Sequence, residues 1–280
     1  MHSMFNFAAI FKTIVSVGRI LEKKGRIRKM KVILYILVPN PDNLDKVKRL
    51  YPYEWARPIH FPQQKRNLLL MENAAWDFLK DKIDTSADFV GTLSSRARTK
   101  MSMKKLDTLL HNSDLLHYDY VNFQASSCVA RDEADLRHEN FKKVWDELCE
   151  QVGDCNINLR SCYCNYWMCK PSLFLGFSKW ASRVFSILET MPLAIQKSNY
   201  ETFHLLTSKQ LIDLWGKPYY PLHVFILERF NLQYFRNYKC LLLPQANFIP
   251  PAYTHLEVIA ICIGLLILLL QIKYKFLKWL

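Results

Sequence analysis

Three basic side chains at alternate positions indicate a place for an anionic ligand. The apolar run FVGTL at 89–93 has the pattern of a buried strand, and Arg96, Arg98 and Lys100 follow it after two serines. A buried strand that ends in basic groups can deliver them to a phosphate-bearing ligand. The alternative interpretation is a strand followed by a solvated basic loop.

A second pair of charges lies within an apolar stretch near the end of the chain. Residues 219–238 place apolar side chains nearly all round a helix, which predicts a largely buried element. Glu228 and Arg229 lie in its middle, and buried charges are costly unless they are paired. Two interpretations stay open, a functional site and a structural ion pair that holds the helix to a sheet.

Composition and charge restrict the class of protein without choosing one. The chain has 280 residues, half of them hydrophobic, and a formal net charge of +13. The charge suits a polyanion, an anionic membrane surface or a phosphorylated substrate. Nucleic acid is not predicted as a partner, because the sequence has neither a dense basic face nor a known binding module. The eight cysteines lack the paired short spacings of zinc sites, so we expect packed thiols and no metal centre.

Hydrophobic periodicity predicts an α/β domain over residues 30–245. The run KVILYILV at 31–38 indicates a buried first strand, and further strands are expected at 89–93 and 118–123. The remaining expectations are helices at 64–83, 101–112, 141–152 and 171–191, an irregular aromatic loop at 51–63, a polar loop at 126–139 and a mixed, strand-containing segment at 156–169. Alternation of strands and helices is typical of a sheet flanked by helices.

Both ends of the chain combine apolar and basic residues. Residues 1–29 are expected to form a basic amphipathic helix, on a membrane surface or packed on the domain. Residues 246–280 are expected to be a linker and a C-terminal transmembrane anchor, with the apolar run at 256–272 followed by lysines and a tryptophan. The absence of a signal sequence favours a cytosolic domain, whereas the basic tail favours the opposite orientation; we adopt the first.

Three motifs, in order and with matching intervals, resemble a family of small glycosyltransferases of capsular and surface polysaccharide synthesis. The first joins ENAAWD at 72–77 to ADFVG at 87–91, similar to the family's "dYVGLxHYRRY" strand end. The second is NYWMCKP at 165–171 with the helix that follows it, and the third is FILERF at 225–230, similar to "flsERLl". The resemblance covers about residues 31–238.

This resemblance implies a GT-A-like, Rossmann-type sheet that binds a nucleotide-sugar at the carboxyl ends of its strands. The sugar would be transferred to a glycan or lipid-linked acceptor at a membrane. The resemblance implies that Arg96, at the position of the family's first arginine, neutralises the donor's diphosphate and that Asn165 also contacts the donor; Arg98 and Lys100 are added to the donor site for their charge. It implies a catalytic pair, Glu228 and Arg229, expected close to Arg96 in space. Glu228 would orient or deprotonate an acceptor hydroxyl, or would only fix Arg229.

The chain also departs from the family pattern. The family's His-Tyr is replaced by Ser94-Ser95, its second arginine is Ala97, and no Asp-x-Asp follows a strand to hold a divalent ion. These departures indicate a metal-independent enzyme or a degenerate one. The alternative function is therefore a non-catalytic, membrane-tethered interaction protein on the same fold.

Overall fold

A seven-stranded sheet organises the part of the chain that the structure, a computed structural model, describes: residues 29–62, 71–136, 138–196, 207–244 and 247. The strands are β1 (Val32–Val38), β2 (Ala56–His60), β3 (Phe89–Ser94), β4 (Tyr120–Val129), β5 (Arg160–Cys162), β6 (Trp167–Cys169) and β7 (Cys240–Pro244).

The sheet is mixed, with most strands running in one direction. Its order is β2-β1-β3-β6-β4-β5, and β7 pairs with β4. β1 is parallel to β2 and β3, and β7 is parallel to β4. β6 is antiparallel to both β3 and β4, so those two strands share a direction, and β5 is also antiparallel to β4. The carboxyl ends of β1, β2, β3, β4 and β7 therefore point the same way, and the predicted α/β class is confirmed.

Helices cover both faces of the sheet because the strands are apolar on both. They are α1 (Leu44–Leu50), α2 (Ala75–Leu79), α3 (Ala97–Lys100), α4 (Met103–Leu110), α5 (Ala130–Asp135), α6 (Phe141–Val152), α7 (Pro171–Thr190), α8 (Ser208–Trp215), α9 (His223–Phe230) and α10 (Leu232–Phe235). One apolar core packs α1, α3 and α4 against β1 and β3. The other packs α2, α6, α7, α9 and α10 against the opposite face.

Gly91 lets β3 and β6 approach closely in the centre of the sheet. It is paired with Met168, and a Cβ atom at this position would lie 2.1 Å from the carbonyl oxygen of Trp167. Since that atom belongs to the paired backbone, it cannot turn away as a side chain would. Glycine here is a requirement of the strand pairing.

Two segments predicted to be loops contain regular structure. Residues 56–60 form β2, which among the described strands pairs only with β1, so Pro58 is tolerated on an edge strand. Residues 126–129 extend β4, and 130–135 form α5, because Ala130 and Ala134 are buried although their neighbours are polar. The prediction of a single helix at 219–238 is also wrong, because this segment forms two helices, α9 and α10, separated at Asn231.

The predicted terminal elements lie outside the described residues. The amphipathic helix of residues 1–29 falls outside them except for its last residue, and so does the apolar run at 256–272. Within the described ranges, no helix has the length and apolar character that crossing a membrane requires. Of the helix predicted at 64–83, the described part is a 3-10 turn at Met71–Ala74 followed by α2.

We expect Gly91→Ala to destabilise the protein by about 3 kcal/mol, because the new methyl group overlaps backbone of the neighbouring strand. Urea unfolding measures the change. Gly216→Ala is the matched control: nothing lies within 4 Å of its Cβ position, and its φ of +83° alone costs about 1 kcal/mol. Equal losses in the two variants would contradict the close approach at Gly91.

Candidate functional site

A left-handed turn joins β5 to β6 at the carboxyl end of β3. Cys164 and Asn165 have φ angles of 62° and 52°, and asparagine is one of the few residues that adopts this conformation at low cost. The Thr92 hydroxyl donates to the Asn165 carbonyl at 3.2 Å, and Ser94 Oγ lies 2.6 Å from Tyr166 Oη. These bonds fasten the turn to the end of the central strand.

A buried series of three asparagine amides holds the side chain of Asn165. Its Nδ2 donates to Asn73 Oδ1 at 2.9 Å, and Asn231 Nδ2 donates to Asn165 Oδ1 at 3.2 Å. Asn73 Nδ2 also donates to the Val224 carbonyl, and Asn231 Nδ2 to the Glu228 carbonyl. Because all three amides are buried, water cannot replace a lost bond. The series therefore ties the turn to both ends of α9.

Glu228 reaches the turn from α9. Its Oε1 accepts a hydrogen bond from the backbone N–H of Cys164, while Oε2 lies 3.8 Å from Nη1 of Arg229. The Glu228 side chain is 21% exposed, so it is fixed by protein and still reaches solvent. Glu228 thus combines a defined position with access to a ligand.

Arg229 packs into the protein. Its side chain is 6% exposed, and Nη1 donates to the Phe225 carbonyl at 3.1 Å. The guanidinium carbon lies 5.2 Å from the ring centre of Tyr163 and 5.9 Å from that of Phe141, within the range of cation–π contacts. Tyr163 in turn donates to a carboxylate oxygen of Glu133. This geometry suits a cation that positions α9 against the turn rather than one that contacts a ligand.

The basic stretch lies on the same edge of the sheet. Arg96 and Arg98 are exposed, and no contact among the described residues joins either side chain to the carboxylate on α9. Lys100 Nζ lies 3.4 Å from Cys164 Sγ and 5.8 Å from the ring centre of Tyr166. Among the described residues, the basic stretch therefore contacts the turn through Lys100, and the expected proximity of Arg96 to Glu228 stays a prediction.

Tyr51 fixes the loop that carries the basic residues. Its hydroxyl bonds to the carbonyls of Ser94 and Ser95 at 3.4 and 3.2 Å, and accepts from the backbone N–H of Arg98 at 3.2 Å. Burial raises the pKa of the Tyr51 phenol, so the side chain stays a neutral donor and acceptor. The start of α3 is thus held against the ends of α1 and β3.

Sequence reasoning missed the residues that support the site. Asn73 and Asn231 hold Asn165, and Tyr51 holds the basic loop, but none was singled out. A signal existed for two of them: Asn73 lies inside the first motif at 72–77, and Asn231 directly follows the motif at 225–230. Their role became visible only when the structure brought the motifs together.

A buried histidine lies at the start of α9. His223 is 4% exposed, and neither ring nitrogen has a hydrogen-bond partner among the described residues. Its ring packs edge-on against Phe185. Burial lowers the pKa of His223 from its ordinary value of 6.5 to about 4, because a charged imidazolium is poorly solvated there. The helix that carries Glu228 therefore begins at an acid-sensitive residue.

Comparison with family models, with curated proteins and with solved structures gave no match. Among the described residues, no three histidine, cysteine, aspartate or glutamate side chains are grouped closely enough to hold a metal ion. The site is therefore defined by its own geometry: a fixed carboxylate, a left-handed turn held by amides and an exposed basic stretch.

We expect Asn165→Gly to cost about 2 kcal/mol, since it leaves amide groups of Asn73 and Asn231 without a buried partner. Asn165→Ala should destabilise the protein by about 1 kcal/mol more, because the left-handed backbone conformation is unfavourable for alanine and not for glycine. Urea unfolding of both variants measures the two parts separately. A stability of Asn165→Ala equal to that of the wild type would contradict the role of the amide series.

Acid should destabilise the protein through His223. The unfolded chain binds the proton more tightly than the folded one, so stability falls as the pH drops from 6.5 towards 4, by up to about 1.4 kcal/mol per pH unit. His223→Leu should remove this part of the pH dependence of unfolding in urea. His111→Leu, at an exposed position, is the control and should keep the wild-type slope. Identical slopes in all three proteins would refute the assignment.

Proposed function

We propose that the protein is a membrane-anchored glycosyltransferase with a GT-A-like, Rossmann-type sheet, which transfers a sugar from a nucleotide-sugar to a glycan or lipid-linked acceptor. The observation that carries the proposal is that Lys100, which follows the strand of the first motif, meets Asn165 and Glu228, from the other two motifs, at one turn. That turn lies at the carboxyl end of a central strand, where open α/β sheets bind their ligands.

The basic stretch is assigned to the donor. Arg96, Arg98 and Lys100 follow β3 directly and carry positive charge at the strand end. Negative charge builds up on the diphosphate as the bond to the sugar breaks, and fixed cations stabilise that charge. The chain has no Asp-x-Asp after a strand, so this task falls to the basic side chains. Asn165 supplies a fixed turn against which the donor is placed.

Glu228 is assigned to the acceptor. In the proposed step the acceptor oxygen forms a bond to the anomeric carbon, while the bond from that carbon to the diphosphate breaks. Glu228 takes the hydroxyl proton, and the departing nucleoside diphosphate takes the electron pair of the broken bond. Its hydrogen bond from Cys164 holds the carboxylate in place, and Arg229 positions the helix beneath it.

One contact favours the alternative, a non-catalytic interaction protein. Ser94, which stands where the family has its histidine, has its hydroxyl 2.6 Å from Tyr166. Because the Ser94 hydroxyl is engaged in that hydrogen bond, it does not replace the imidazole of the family's histidine as a proton donor. On this reading the turn is a structural feature of a degenerate fold. The two hypotheses differ in whether a nucleotide-sugar binds.

The proposed location rests on the apolar run at 256–272. Residues 256–272 would anchor the protein as a single membrane span, with the domain on the cytosolic side, where nucleotide-sugars are made. An acceptor carried by a lipid would then lie at the same surface as the enzyme.

Thermal unfolding of the full chain in detergent, with UDP-, GDP- and TDP-sugars, tests donor binding. A donor present at a hundred times its Kd should stabilise the protein by about 2.7 kcal/mol, seen as a rise in Tm. Arg96→Ala should lose this rise and keep the Tm of the free protein. Arg183→Ala, an exposed arginine on α7, is the matched control and should keep the rise. No stabilisation by any donor would favour the non-catalytic alternative.

Transfer itself is tested with Glu228→Gln. The amide oxygen of glutamine can still accept from Cys164, so we expect the fold and the donor-induced rise in Tm to persist. The rate of nucleoside diphosphate release with acceptor should fall about 10²–10⁴-fold, as expected when a general base is removed. A variant with unchanged turnover would show that Glu228 is structural.

A further inference from the structure

A group of exposed cations extends from the proposed donor site onto the helix that follows it. We call it the basic platform, and it consists of Arg96, Arg98, Lys100, Lys104 and Lys105, all of which are exposed. No acidic residue occurs between Asp88 and Asp107. The platform is therefore a concentrated positive surface. It is also larger than a single diphosphate requires, since Lys104 and Lys105 lie beyond the stretch assigned to the donor.

The apolar residues of the same segment explain why the cations face outward. Ala97, Met101, Met103 and Leu106 are buried against the sheet, so the charged positions between them lie on the solvent side of α3 and α4. Because α3 directly follows β3, the platform stands at the carboxyl edge. The packing of these two helices thus fixes the direction in which the charge is presented.

The C-terminal segment leaves the domain at this edge as well. β7 runs parallel to β4, and its last residue, Pro244, pairs with Ala125. Ala125 also pairs with Cys162, two residues before the left-handed turn. From Pro244, eleven residues precede the apolar run at 256–272, and a fully extended chain of that length reaches about 40 Å at most. If the apolar run is inserted in a membrane, as proposed, this edge of the sheet is tethered within about 40 Å of the bilayer.

We infer that the basic platform docks the carboxyl edge of the sheet onto an anionic membrane surface. The inference rests on the membrane anchoring in the proposed function and not on sugar transfer. Each lysine or arginine close to an anionic leaflet is attracted to it, and five together orient the edge toward the lipid. A docked edge would hold Glu228 facing a lipid-linked acceptor. Nucleic acid fits less well, because Tyr51 and Tyr166, which contact Arg98 and Lys100 of the platform, are buried and offer no ring for bases to stack on.

Lysine acetylation of the full chain in lipid nanodiscs tests the docking. A water-soluble acetylating reagent is applied to discs of phosphatidylcholine with and without phosphatidylserine, and each modified lysine is measured by mass spectrometry. We expect Lys104 and Lys105 to react severalfold more slowly in the anionic discs, and the difference to disappear at high salt. Lys179, exposed on α7 against the opposite face of the sheet, should react equally in both.

Matched charge reversals separate docking from general attraction. In the wild type, Lys100 should also react more slowly in the anionic discs, and we expect K104E/K105E to remove this difference. In K179E/R183E, which makes the same change of charge on α7, Lys100 should still react more slowly in the anionic discs. An unchanged pattern at Lys179 confirms that K104E/K105E is folded.

Several outcomes would overturn the inference. These are equal reactivity of the platform lysines in both kinds of disc, loss of the effect in K179E/R183E, and failure of the full chain to enter either disc. Stronger protection of Lys104 and Lys105 by single-stranded RNA than by anionic lipid would assign the platform to nucleic acid instead. Because no nucleotide-sugar is present, the result is independent of the donor-binding measurement.

Discussion

The buried amide of Asn165 is the contact on which the carboxyl edge of this sheet depends. It holds the left-handed turn between two extended strands. Its two hydrogen-bond partners, Asn73 and Asn231, lie 92 positions before it and 66 positions after it in the sequence. The turn presents the N–H of Cys164 to Glu228. A carboxylate that would otherwise move freely on a helix is thereby fixed, at the cost of a polar network that must stay complete.

Charge is divided across this edge by the order of the strands. Basic groups follow β3, whereas Glu228 and Glu133 approach from the helices beside β4 and β5. Lys100 links the basic side to the carboxylate of Glu228, because its Nζ lies near the Sγ of Cys164, whose N–H donates to Glu228. An edge with separate positive and negative sides can hold a diphosphate on one side and a hydroxyl on the other. The same positive side is the one we assign to the membrane surface, so donor binding and docking would draw on one region of charge.

The elements that the sequence predicted correctly are those with a strong local pattern. The strands at 32–38 and 89–94 are continuous apolar runs, and the helix at 141–152 repeats its apolar residues at helical spacing. Each pattern therefore indicated one type of secondary structure. The strand at 56–60 was missed because Pro58 lies on an edge and the segment looks irregular in isolation. The break at Asn231 was missed because Phe230 and Leu232 flank it in a stretch whose apolar residues lie nearly all round a helix, and periodicity gives no boundary there.

The sequence by itself determined the fold class, the strands and helices with a strong local pattern, and the residue types available for a site. The tertiary structure decided which of those residues meet. Asn73 and Asn165 are bonded although 92 positions separate them, and Arg229 proved to be a packing cation while Glu228 beside it reaches solvent. The physical reason is that periodicity reports how one element faces the core, whereas a site depends on contacts between elements, which no local pattern encodes.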